Sequence, residues 1–228
     1  MAATITTPAE ARSVPAPTTG ERRGWAWAGA VAGLAGIAMI VASMSLAVSD
    51  DSMADSALVL QEILDEDAAV WAFQVACSLA ALCATLFAAG LRRRLAAQAP
   101  AESLLPTLAA AGLASVAITL LVGGGISTEL FWALVQDHGE VDPDIVAANL
   151  GIFDTMAWVW AGIGLTSGSL AVAGIRHGSL PRWLGWLSAA VTGLIVLTQL
   201  LPVQYLAAFV GAPWLVVAGA GLARADRA

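Results

Sequence analysis

Six apolar runs alternate with short polar stretches along the chain, at about 25–48, 68–90, 104–124, 149–175, 183–201 and 203–223. Each is close to the roughly 20 residues that a helix needs to cross about 30 Å of hydrocarbon. Inside lipid every backbone N–H and C=O must find a partner within the protein, which a helix provides. The pattern therefore predicts an all-α integral membrane protein, a six-transmembrane-helix bundle. The fifth and sixth runs meet around Pro202 with almost no loop, so they should form a helical hairpin. Ser45-Leu46-Ala47 offers a weak cleavage site after the first run. That run nevertheless approaches full spanning length, whereas a signal h-region has about 7–15 residues.

The connecting stretches carry patterns of their own. Residues 1–24, with Pro8, Pro15 and Pro17 among Thr and Ala, lack apolar periodicity and read as a disordered cytoplasmic tail. Residues 224–228 form the cytoplasmic C-terminus. Ser52 and Asp55 are spaced as a capping box, and Val59/Ile63 and Leu60/Leu64 recur four residues apart. They predict a short interfacial helix in the first outer loop. Ile126–Gln136, after the flexible Gly123-Gly124-Gly125, predicts a second.

Charge adds an orientation. The chain has ten basic residues, all arginine. In a six-helix reading Arg12, Arg22, Arg23, Arg92, Arg93, Arg94, Arg176, Arg182, Arg224 and Arg227 all fall on one side. The opposite loops hold Asp50, Asp51, Asp55, Glu62, Asp65, Glu66, Asp67, Glu129, Asp137, Glu140, Asp142 and Asp144. Basic residues are retained in the cytoplasm, so both termini are expected there (N-in/C-in), in the cell (plasma) membrane. Trp25, Trp27, Trp183 and Trp186 then mark the inner interface, and Trp71 and Trp132 the outer one.

Composition agrees: 59% of the 228 residues are hydrophobic, 12% are charged, and the mean hydropathy is +0.80. The expected partners are the lipid bilayer and either a protein partner or further copies of the chain. A net charge of −7 without a basic stripe argues against nucleic acid.

Small and weakly polar residues mark faces where helices approach each other in lipid. The stripes read as Gly29, Ala32, Gly33, Gly36 and Ser43 on the first helix, and Gln74, Cys77, Ser78, Ala81 and Thr85 on the second. Ala111, Ser115 and Thr119 mark the third, and Asp154, Ala157, Trp158, Ala161, Leu165 and Gly168 the fourth. Ser188, Thr192, Ile195 and Gln199 mark the fifth.

Asp154 is the one charged residue well inside a predicted span, about 9 Å below the outer surface at 1.5 Å per residue. A carboxylate at the centre of a span costs about 2.5–3.5 kcal/mol on insertion scales. Gln74 lies at a similar depth, with Gln199, Gln204 and Tyr205 slightly nearer the surface. The outer half holds no Arg or Lys, which leaves two readings. Asp154 is hydrated or bonded to amides, or it meets a proton, a cation or a charged ligand together with Gln74, Gln199, Gln204 and Tyr205.

Other chemistry is not indicated. His138 and His177 lie outside the spans, and Cys77 and Cys83 point about 120° apart on a helix, so neither a haem nor a metal site is expected. Asp137–Asp144 is rich in oxygen ligands but does not match a calcium loop. No catalytic constellation, nucleotide motif or cofactor site is visible.

The stretch Gly168-Ser169-Leu170-Ala171-Val172-Ala173-Gly174-Ile175-Arg176-His177-Gly178-Ser179-Leu180-Pro181-Arg182-Trp183-Leu184-Gly185-Trp186 resembles the signature of a family of small bacterial six-helix membrane proteins catalogued as domain of unknown function 4386. The family shows a Gly-rich helix end, a basic residue, then Leu-Pro-Arg-x-Leu-Gly opening the next helix. The resemblance implies six helices and brings no activity or catalytic residue. The expected function is a non-enzymatic accessory subunit or small-ligand binder; the alternative is a small proton- or cation-coupled transporter using Asp154.

Overall fold

The structure, a computed structural model, describes residues 21–49, 51–135 and 142–225; the side chains of Glu21, Arg22, Arg23 and Asp154 are not among those described. The α-helices in order are α1 (Glu21–Met44), α2 (Ser56–Ile63), α3 (Asp67–Gln98), α4 (Leu105–Val135), α5 (Pro143–Asp154), α6 (Ile163–Ile175), α7 (Arg182–Leu200) and α8 (Leu206–Ala225). A 3-10 turn, Ser52–Ala54, precedes α2, and a 3-10 segment, Thr155–Gly162, joins α5 to α6. Among the described residues six stretches are long and apolar enough to cross a membrane: Gly24–Met44 of α1, α3, α4, α7, α8 and the composite Pro143–Ile175. The chain is an all-α, multi-pass bundle.

The spans alternate in direction around a closed ring, α1–α3–α4–α6–α7–α8 and back to α1. Close packing fixes each antiparallel pair. Trp25 of α1 stacks on Phe87 of α3, with centroids 5.7 Å apart. Thr166 of α6 donates to the Ala109 carbonyl of α4 at 3.0 Å. The Ser167 and Thr192 hydroxyls join α6 to α7 at 2.8 Å. The Trp214 indole N–H of α8 donates to Ser188 of α7 at 3.2 Å. α1 and α8 come closest: a Cβ at Gly33 would lie 2.5 Å from the Val216 nitrogen, and one at Gly219 2.3 Å from the Ala30 nitrogen. Backbones in such contact gain dispersion energy that lipid cannot supply to a lone helix.

This topology places Arg92, Arg93, Arg94, Arg176, Arg182 and Arg224 at the same end of the bundle as the start of α1. The connection between α1 and α3 and the start of α5 lie at the acidic end. At the arginine end Gly178, with φ of +61°, makes the turn after α6. Ser179 closes it by donating its N–H and hydroxyl to the Ala173 carbonyl at 3.1 and 2.9 Å. Pro181 is the residue before α7 rather than its first helical one.

Several boundaries differ from the sequence expectations. Residues 1–20 lie outside the described ones, and helix begins at Glu21, within the stretch read as tail. Gly123-Gly124-Gly125 do not break α4, so Ile126–Val135 continues it and is no separate interfacial helix. The first two are packing positions: Gly123 lies against the Met156 sulfur, Gly124 faces Cys77 and Ser78, and Ser127 and Thr128 bond back to their carbonyls, while Gly125 is exposed. The first interfacial helix exists as α2, but Asp55 is its N-cap, accepting from the Ala57 N–H at 2.9 Å. The Ser52 hydroxyl instead donates to Glu62.

Glu62 also accepts the Ser49 N–H at 2.9 Å and the Ser49 hydroxyl at 2.7 Å, tying α2 to the chain leaving α1. These donors hold its carboxyl below the ordinary value of 4.5. A carboxyl with a lowered folded-state pKa favours the folded loop above its unfolded pKa, and that contribution is lost as pH falls through the folded one. Hydrogen exchange at the Ser49 amide should therefore accelerate beyond its intrinsic rate as the pH falls through that lowered value. Glu62→Gln should remove most of that pH dependence; an unchanged profile would show that the loop is held otherwise.

The fourth span departs furthest from expectation. Its stripe assumed α-helix, but Thr155–Gly162 is 3-10. Three residues per turn instead of 3.6 adds about 20° per residue, about 160° over this segment. Phe153, Met156, Trp160 and Ile163 are consequently buried, while Trp158 and Leu165 of the expected stripe are 47% and 52% exposed. The segment is rich in aromatic and β-branched residues, which favour α-helix weakly. On α4 the buried line is Ala109, Gly112, Val116, Leu120 and Gly123, with Ala111 and Ser115 exposed. Thr85 and Gln199 are exposed too. The remaining positions of the first, second and fifth stripes, Gly33 of the close α1–α8 contact among them, are buried, apart from the half-buried Ser43, Gln74, Ser78 and Thr192.

Candidate functional site

Trp160 sits at the middle of the bundle. Its side chain is fully buried, against Gly36 of α1 on one edge and Gly211 of α8 on another. Among the described residues its indole N–H has no hydrogen-bond partner. Trp214 presents the same donor, satisfied by Ser188. A buried amide-like donor without a partner costs about 1–3 kcal/mol, so packing holds Trp160 in place against that cost. Sequence reading placed Trp158 on the packing face of the fourth span and did not single out Trp160.

Towards the acidic end, beyond Trp160, the bundle opens. A cavity of about 190 Å³ lies between the end of α1, the start of α3, the 3-10 segment and α8, with Met39, Phe73, Phe153, Met156 and Phe209 on its walls. Phe73 and Phe153 face each other there with centroids 3.9 Å apart. It adjoins a groove of about 550 Å³ that shares Ser43, Ala157 and Phe209 and adds Gly151, Thr155, Trp158 and Tyr205. The polar groups are few: the Ser43 hydroxyl donates to the Ile40 carbonyl at 2.8 Å and that of Thr155 to Ile152 at 2.6 Å, leaving oxygen lone pairs available. A concave, mostly apolar hollow with a few polar groups is the usual form of a small-molecule site.

The sequence candidates distribute unevenly about it. Asp154 ends α5; Phe153 and Thr155, on either side, both line the hollows. Those neighbours stand level with Ser43, next to the end of α1, and Tyr205, just before α8. Phe153 also meets Phe73, which lies six residues, about 9 Å, inside the start of α3. α5 itself packs on α2 and α4. Tyr205 lines the groove and is 49% exposed. Gln74 follows Phe73 at the same level and is half-buried, but lines neither hollow. Gln204 is held in the α7–α8 turn, its carbonyl accepting from Ala207 at 3.0 Å. Gln199 is exposed on α7, its amide nitrogen 3.4 Å from the Thr198 hydroxyl, and lines neither hollow.

Three aspartates stand at this end. Asp55 and Asp142, the N-caps of α2 and α5, border one polar hollow with Asp144. Among the described residues no group of three His, Cys, Asp or Glu is placed to hold a metal. His138 and Asp137–Val141 of the acidic loop lie outside the described residues. No family model, no curated protein and no solved structure matches the chain.

Proposed function

We propose that the protein is a non-enzymatic binder of small lipophilic cations in the plasma membrane, acting alone or as an accessory subunit. Both termini are then cytoplasmic, as the separation of arginines from acids supports. One observation carries the reading: an apolar, phenylalanine- and methionine-lined hollow opens at the acidic end, walled by both chain neighbours of Asp154. The apolar walls take a greasy body, and Asp154, with Tyr205 and Thr155 near it, supplies the countercharge. The carboxylates of Asp55, Asp142 and Asp144 raise the local concentration of cations.

The probe is tetraphenylphosphonium, measured by equilibrium dialysis against the protein in nanodiscs. Saturable binding to the wild type is expected, weakened about tenfold by Asp154→Asn, since a countercharge at contact is worth at least that much at an effective dielectric near 20. Equal binding by both proteins would remove Asp154 from the site. No saturable binding would end the reading.

A cation-coupled transporter is the second reading, and the 3-10 segment in the fourth span favours it. Non-α stretches in a span mark hinges and coupling sites in many carriers. Asp154→Asn proteoliposomes that bind the probe normally yet lose its uptake would select this reading.

A further inference from the structure

At the arginine end α7 and α8 leave a groove of about 620 Å³ between them. Its floor is α8 from Val216 through Val217 and Gly221 to Arg224, a rise of about 12 Å, most of the ~15 Å depth of one leaflet's hydrocarbon. One wall is the Trp183 indole, seated on Gly221, where a Cβ would lie 2.9 Å from the ring. The head is the Arg224 guanidinium, 5.9 Å from the centroid of the Trp27 ring on α1. That ring attracts the cation, whose guanidinium carries five N–H donors. Among the described residues no carboxylate pairs with Arg224, and none lines the groove.

We propose that this groove is a binding site for one anionic phospholipid, its phosphate on Arg224 and an acyl chain along Val216, Val217 and Gly221 beside Trp183. The order of chemistries is that of the lipid itself: a cation at the end of the span, an amphipathic indole next to it, then an apolar channel running into the membrane. A second copy of the chain fits poorly, because in the same membrane orientation its arginine end would stand at the same level and set like charges together. The site is at the opposite end from the cation hollow and does not depend on the function proposed above.

The experiment is native mass spectrometry of the purified protein titrated with phosphatidylglycerol or with phosphatidylcholine of identical chains. The wild type should retain one phosphatidylglycerol about fivefold more tightly than phosphatidylcholine, the effect of one basic residue at an anionic lipid. Arg224→Gln should bring the two lipids to equal affinity. Val217→Trp, a change at a position 41% exposed, should fill the groove and weaken both lipids alike. Each variant is compared only after its thermal unfolding matches the wild type; where Arg224→Gln does not, Arg224→Lys, which keeps charge but not the flat fork, should retain a reduced preference. Equal retention of both lipids by the wild type, or a preference untouched by Arg224→Gln, would overturn the proposal. So would glycerol phosphate binding to Arg224 as tightly as the lipid and ignoring Val217→Trp, since that describes a bare anion site.

Discussion

Gly33→Leu is expected to destabilise the bundle by about 3 kcal/mol or more, the upper range for overpacking a filled interior. Even the first carbon of the new side chain would fall 2.5 Å from the Val216 nitrogen and 2.6 Å from the Ala212 carbonyl oxygen. Those are backbone atoms of α8 in mid-helix and cannot rotate aside. The helices would have to separate, and separation also opens the Gly219–Ala30 contact and the Gly36 face that carries Trp160. Gly193→Leu is the control, because a Cβ there meets nothing within 4 Å. It should shift stability by no more than about 0.5 kcal/mol. Reversible unfolding in bicelles by steric trapping reads both. Equal effects at the two sites would mean that α1 and α8 are not in backbone contact.

The second large effect is at Trp160. Trp160→Ala should cost about 3–5 kcal/mol, because the indole fills the space between α1, α8 and the 3-10 segment and no neighbour can close over its loss. Trp160→Phe should cost no more than about 1.5 kcal/mol: it forfeits some contact area but removes a buried donor that has no partner among the described residues. The gap between the two variants is the informative quantity. A Phe variant as damaged as the Ala variant would show that the indole N–H is bonded in the membrane after all, and that polarity rather than volume places Trp160.

Helix count and alternation of the spans were legible because both rest on coarse physics, the length of apolar runs and the exclusion of charge from lipid. The glycine stripe of α1 was legible for the same reason, since in lipid a close approach leaves small residues as its trace. The fourth span was not. Its apolar residues suit either helix type, and eight residues of 3-10 geometry turn the downstream face by about 160°. Hence Trp158 and Leu165 were assigned inward and Trp160 passed unnoticed. The triple glycine of α4 misled in the opposite sense: it looks like a hinge, yet Gly123 is small because Met156 packs on it. For the site, the sequence singled out Asp154 and Tyr205 but could not show that Phe73, Phe153 and Phe209 come together, since they lie on three separate elements. Gln199 was drawn in by α-helical spacing, and its exposed place on α7 reflects only which way that helix is turned.

The most direct test of the cation hollow is native mass spectrometry of the protein released from nanodiscs made with its host membrane, wild type beside Asp154→Asn. The account predicts a defined non-lipid mass on the wild type that is missing from the variant, with both proteins otherwise intact. Identical spectra carrying only ordinary lipids would contradict it and leave Asp154 a structural residue.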